Sequence, residues 1–178
     1  MTTLLGISGS LRKESRNTAL LHEAARLFAP DQFILADIRF PLYDGDLEDS
    51  EGVPDEVKKL HAQIKAADAV VISTPEYNKS LPGVLKNALD WLSRERPQPW
   101  TGKPVAIVSA ADGRAGGERS QYSLRHCMTP FNPRILQGPE IMIAAAGKAF
   151  DENGQLENEF SVKSLTKLMA ALRAEAEL

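Results

Sequence analysis

Cysteine is nearly missing: the 178 residues contain one, Cys127. A lone thiol forms neither an internal disulfide nor a thiolate metal cage, so the chain's chemistry has to come from elsewhere. Long apolar runs are missing as well. The best stretches, Ala69–Ile72 and Val105–Val108, fall far short of the ~20 residues that cross a bilayer. The opening Met1–Gly6 has neither the charged nor the apolar region of a secretory leader, which sets a cytoplasmic location as the expectation. Positive charge is not in excess. Lys and Arg number 21 against 24 Asp and Glu, for a net charge of −3, so no basic field exists to attract nucleic acid or an anionic membrane. The three histidines, His22, His61 and His126, are scattered and suggest no metal site or nucleophile triad. What is present is an ordinary globular composition. With 43% hydrophobic and 25% charged residues, the chain matches soluble proteins that bury a core. Its length lies within the roughly 100–200 residues of one domain, so residues 1–178 are expected to form a single domain.

Hydrophobic periodicity orders the elements. Thr3–Ser8 is a short apolar run that ends in a Gly/Ser cluster, and Leu20, Ala24, Leu27 and Phe28 then recur at helical spacing. Phe33–Ile38 predicts a second strand, and Arg39–Gly52, with Pro41, Gly45 and five acidic residues, predicts a loop. Pro54 opens a helix marked by Val57, Leu60 and Ile64, since proline suits a first helical turn. Ala69–Ile72 shows no alternation, as expected of a parallel strand covered on both faces. A helix from Pro82 to about Ser93, a strand at Val105–Val108 and a helix near Glu118–Cys127 follow. Ile135–Leu136 and Ile141–Ile143 predict a fifth strand interrupted at Gly138-Pro139, and Leu165, Leu168, Met169 and Leu172 mark the last helix. This alternation predicts a doubly wound α/β fold. The order 2-1-3-4-5 of a flavodoxin-like, three-layer sandwich fits five parallel strands with right-handed crossovers.

Such sheets bind ligands beyond the carboxyl ends of their strands. The loops after strands one, three and four are therefore the places to search. The first runs from Gly6 to Thr18. It lacks the Gly-Lys-Ser/Thr of a P-loop and the third glycine of the dinucleotide fingerprint. It does offer Ser8, Ser10, Ser15, Asn17 and Thr18 beside the N-terminus of a helix, with Arg12 as a cation. That donor set suits one terminal phosphate, although serine and asparagine also cap helices that bind nothing. The third-strand loop, Thr74–Ser80, holds Pro75-Glu76-Tyr77-Asn78. Proline stiffens such a turn and tyrosine gives it an aromatic wall with a polar tip. The fourth-strand loop holds Ser109, Gly116 and Gly117 together with Asp112 and Arg114.

The stretch Thr74–Arg94, with Pro75-Glu76-Tyr77-Asn78 and Leu81-Pro82-Gly83 at its start, resembles the NADPH-dependent FMN reductases. That flavodoxin-like family includes quinone, azo-dye and chromate reductases. Gly9-Ser10-Leu11-Arg12 with Ser15 and Asn17 resembles the same family, as do Pro41–Glu48, Gly116-Gly117 and Phe150-Asp151 with Gly154 and Leu156. The resemblance thus covers nearly the whole chain. It implies that Ser10, Arg12, Ser15, Asn17 and Thr18 hold the FMN phosphate. Pro75, Glu76, Tyr77 and Asn78 would face the isoalloxazine, and Ser109, Gly116 and Gly117 would lie close to it. Asp112 and Arg114 are untypical of the family and are read as loop charges, with a nicotinamide-nucleotide phosphate as the other reading for Arg114. The resemblance further implies NADPH or NADH as co-substrate, a small acceptor such as a quinone or free flavin, ping-pong kinetics, and a homodimer or homotetramer. A flavodoxin-type carrier and an FMN-based redox sensor are the competing readings.

Two further expectations come from patterns outside the loops. Asp44, Asp46, Glu48 and Asp49 resemble the start of a calcium loop but lack its later glycine and glutamate, so a solvated acidic loop is expected. Leu89 and Trp91 widen the apolar arc of their helix, which makes them candidates for a subunit interface.

Overall fold

Ala69–Ser73 (β3) is buried along its whole length, as its unbroken apolar pattern requires. The computed structural model describes residues 1–178 and places β3 between β1 (Thr3–Ser8) and β4 (Pro104–Ala110). Outside these lie β2 (Gln32–Ala36) next to β1, and β5 (Arg134–Ile135) next to β4. All pairings are parallel, in the order β2-β1-β3-β4-β5. The expected fifth strand is two pieces: β6 (Ile141–Ile143) also pairs with β4, further along it than β5. Gly138-Pro139 lies between the two pieces.

Strand residues alternate between two faces, and the core divides accordingly. Leu5, Ile7, Val70, Ile72, Val105 and Ile107 face α3 (Asp55–Ala66), α4 (Gly83–Leu92) and α5 (Glu118–Met128). Leu4, Ala69, Val71, Ala106 and Val108 face α1 (Arg16–Phe28) and α6 (Glu159–Glu175). Gly6 lies on this second side, where the ring of Phe33 fills the space: a Cβ at Gly6 would stand 2.8 Å from it. Arg173 on α6 donates to the carbonyl of Phe28 at 2.8 Å and lies over its ring, which fastens the last helix to the first.

Two expectations are corrected. Arg39–Gly52 is not all loop, because Gly45–Glu51 is a short helix, α2. The Asp44 carboxylate caps it by accepting from Asp46 N at 2.9 Å, and Asp46 and Glu48 sit where a helix dipole favours negative charge. None of its residues is buried, so no apolar stripe announced it. Leu89 and Trp91 are not on a free surface. They are 2% and 0% exposed, and the chain covers its own helix with the segment Pro41–Tyr43. Trp91 and Asn87 both donate to the carbonyl of Pro41, Asn87 accepts from Tyr43 N, and the Tyr43 ring meets Trp91 edge-on at 5.0 Å. The wide apolar arc of α4 is thus spent inside one chain.

Candidate functional site

The carboxyl ends of β1, β3 and β4 open into one cavity of about 840 Å³, within the usual range for a small-molecule site. Its floor is fixed by Asn17. The Asn17 amide donates to Ala110 O at 2.9 Å, while its oxygen accepts from Ala110 N at 3.1 Å and from the Ser73 hydroxyl at 2.8 Å. Asn17 is 3% exposed. Its side chain therefore holds the start of α1 to the ends of β3 and β4, with both acceptor positions of its oxygen and one of its two amide N–H groups engaged. The backbone N–H groups of Arg16 and Asn17 do remain, since the first turn of a helix has no internal acceptor. Ser15 caps α1 by accepting from Thr18 N at 3.2 Å, and no acidic residue occupies that first turn.

Of the first-loop candidates, Ser10, Arg12, Ser15 and Asn17 line the cavity and Thr18 does not. The Thr18 hydroxyl donates to Ser8 at 3.0 Å, which braces the loop from behind. Arg16, which the sequence did not single out, is a cavity residue next to Arg12. The first loop meets the third-strand loop directly: Gly9 N donates to Ser73 O at 2.8 Å, and a Cβ on Gly9 would approach Pro75 at 3.1 Å.

Pro75, Glu76 and Tyr77 form the next wall. The Pro75 carbonyl accepts from Ser120 at 2.8 Å, and Thr74 and Ser120 share a further hydrogen bond at 2.6 Å. Tyr77 and Ser80 exchange backbone hydrogen bonds at 3.0 and 3.1 Å around Asn78 and Lys79, whose φ values are +50° and +67°. Two successive left-handed residues make a tight primed turn, for which asparagine is well suited. Asn78 thus shapes the turn and does not line the cavity. Tyr77 remains half exposed at the rim. Glu76 accepts from the Arg119 backbone N–H at 3.1 Å and faces its guanidinium at 3.4 Å. That pairing across 43 residues left no trace in the sequence.

The fourth-strand loop closes the cavity through its backbone. Ser109 is fully buried outside the cavity wall, donating to Gly116 O at 2.6 Å and accepting from Gln121 at 2.8 Å. Gly116 and Gly117 line the cavity at φ +57° and +93°. A Cβ on Gly116 would lie 2.7 Å from the Met142 carbonyl carbon, and one on Gly117 would lie 2.8 Å from Ser109. These glycines are demanded by the chain's own packing. Asp112 accepts from Gly147 N at 2.9 Å, which draws the turn Ala146–Lys148 against the cavity. Groups with displaced pKa values sit elsewhere. Hydrogen bonds from Arg94 hold the Glu48 carboxyl below the usual carboxylate range, and Glu140 raises the Tyr122 phenol.

Residues 2–148 match the family model for NADPH-dependent FMN reductase. The chain belongs to this family. It is 46% identical over 172 residues to an NAD(P)H-dependent FMN reductase of Pseudomonas aeruginosa, covering 96% of this chain and 92% of that one. It is 40% identical over 177 residues to a quinone reductase of Escherichia coli, with the same coverage. Among solved structures, FerB of Paracoccus denitrificans, a flavoenzyme NAD(P)H:(acceptor) oxidoreductase, superposes with a TM-score of 0.88 at 32% identity. That match covers 99% of this chain and 98% of FerB. An archaeal flavodoxin with a TM-score of 0.64 and 9% identity shares the fold alone.

Proposed function

We propose that residues 1–178 act as one FMN-binding domain that oxidises NADPH or NADH and reduces small acceptors such as quinones or free flavin by a ping-pong mechanism. The observation that carries this reading is a single-anion cradle opening directly into a cavity walled by backbone. At one end are the free N–H groups of α1, the hydroxyls of Ser10 and Ser15, and the guanidiniums of Arg12 and Arg16, a donor set that matches one terminal phosphate. At the other are Pro75–Tyr77 and Gly116–Gly117, which present main-chain polar groups and one aromatic edge to a flat polar ring. The residues present fit FMN. When bound, it would supply the two-electron chemistry between the nicotinamide and the acceptor.

The chain's own contribution is positioning. Arg12, Ser10 and Ser15 anchor the phosphate, and Asn17 and Ser109 keep the three loops in register. The Glu76–Arg119 pair fixes the wall that Tyr77 extends. No side chain is required as general acid, base or nucleophile. We further propose a homodimer or homotetramer working in the cytoplasm; sedimentation as a monomer at micromolar concentration would reject the assembly.

Anaerobic addition of NADPH or NADH to the FMN-loaded protein tests the reductase reading. Rapid bleaching of the flavin absorbance, and parallel double-reciprocal plots with a quinone, are the expected results. Binding of FMN without bleaching by either nucleotide would instead mark a carrier or sensor, and failure to take up FMN would reject the flavin assignment.

A further inference from the structure

The charged groups of the cavity do not all have partners. Arg119 is held by Glu76, and Asp112 accepts from Gly147 N. Glu14 lines the cavity on the first loop beside Arg12. Arg12, Arg16 and Arg114 also line it and take part in no ion pair. A phosphate monoester carries about −1.5 to −2 charges near neutrality. Arg12 and Arg16, together with the first turn of α1, are sufficient for one such group. Arg114 is a third cation and comes from a different strand. β1 and β4 flank β3, so their loops spring from points on the order of 10 Å apart.

Arg114 is also firmly mounted. Ala111 N donates to Ile143 O at 3.0 Å, Ala146 N to Ala111 O at 3.3 Å, and Gly116 N to Gly113 O at 3.1 Å, while Asp112 grips Gly147. The loop is thereby tied on both sides of residue 114. Arg114 itself is exposed, and a Cβ on the preceding Gly113 would meet nothing within 4 Å. The one carboxylate on this loop, Asp112, takes its hydrogen bond from a backbone N–H and forms no ion pair with Arg114.

We infer that Arg114 is the cation that receives a phosphoryl group of the nicotinamide dinucleotide, in a second anion subsite separate from the cradle at α1. The inference rests on the reductase reading, under which two phosphate-bearing molecules enter the cavity. One of them, the flavin nucleotide, brings a single phosphate that the α1 cradle already satisfies. The other is a dinucleotide whose additional phosphoryl groups are either the bridging pyrophosphate or the 2′-phosphate. Both have the same chemistry toward a guanidinium.

The test compares FMN-loaded wild type with Arg114→Met and Arg114→Lys by calorimetric titration with NADP⁺ and NAD⁺, at low and at high salt. FMN uptake is measured first on each protein. Arg114→Met is expected to bind NADP⁺ about tenfold more weakly at low salt. High salt should narrow the gap, because an exposed ion contact is screened, and Arg114→Lys should recover most of the loss. Equal weakening of NAD⁺ would assign Arg114 to the pyrophosphate, and weakening of NADP⁺ alone would assign it to the 2′-phosphate. Unchanged affinity for both nucleotides in variants that still bind FMN would overturn the inference, and so would a parallel loss of FMN affinity. Wild type that takes up no FMN would overturn the reductase reading itself, and the inference with it.

Discussion

Arg12 and Asn17 flank the same helix start and do opposite work. Arg12 is exposed and unpaired, so its side chain is available to a ligand. Asn17 is buried with three internal hydrogen bonds, so its side chain serves the scaffold. Arg12→Ala should raise the dissociation constant for FMN by about tenfold, the scale of one charge-assisted hydrogen bond. The apoprotein's denaturant midpoint should barely move, since exposed substitutions usually stay within about 0.5 kcal/mol. Fluorescence titration and urea unfolding read the two effects separately. Gly116→Ala should behave in the reverse way. Its new methyl would collide with backbone at Met142 and sit at φ +57°, so a loss of about 2 kcal/mol or more is expected in the apoprotein itself. A urea midpoint equal to wild type would contradict that. At this scale the sequence was only half legible. Serines, asparagines and glycines at the right loops were visible, but whether each faces the ligand or the scaffold depends on partners far along the chain.

The element that sequence patterning missed is α2, and its neighbours explain how an exposed helix stays in place. Arg94 donates to both oxygens of Glu48, at 2.9 and 2.8 Å, Tyr43 donates to the same carboxylate at 3.0 Å, and Arg94 lies 5.9 Å from the centre of the Tyr43 ring. These contacts tie α2 to the end of α4. The folded state lowers the Glu48 carboxyl pKa, chiefly through the Arg94 hydrogen bonds. The folded protein therefore binds that proton less readily than the unfolded chain does. The stabilisation is complete above the ordinary glutamate value and disappears as pH falls through the lowered one. Glu48→Gln should flatten this part of the acid limb of a stability-against-pH curve. A variant whose acid limb matches wild type would show that Glu48 contributes nothing there. Strands, by contrast, were legible because burial on both faces enforces unbroken apolar runs such as Ala69–Ile72. α4 was legible for the same reason, but its wide arc misled: the covering segment Pro41–Tyr43 is irregular chain, which periodicity does not register.

For the molecule as a whole, the parallel order with β3 at the centre was readable from the strand and helix alternation. The cavity follows from it, since that order sets β1, β3 and β4 side by side and brings the loops after them together. The contacts that finish the cavity were invisible because they join distant residues: Asn17 to Ala110 spans 93 positions and Asn17 to Ser73 spans 56. Such separations also have a temporal meaning. Bonds that close long loops are entropically expensive and tend to form after local structure, so the Asn17 linkage should complete late, close to the native side of the folding barrier. FMN would then find no site to bind until the barrier has been crossed. Saturating FMN should accordingly slow unfolding in stopped-flow denaturant jumps while leaving the refolding rate of the apoprotein unchanged. Acceleration of refolding by FMN would mean that the cradle forms early. On this account Asn17 sets the order of events, and a chain at the end of synthesis must fold before it can become a holoprotein.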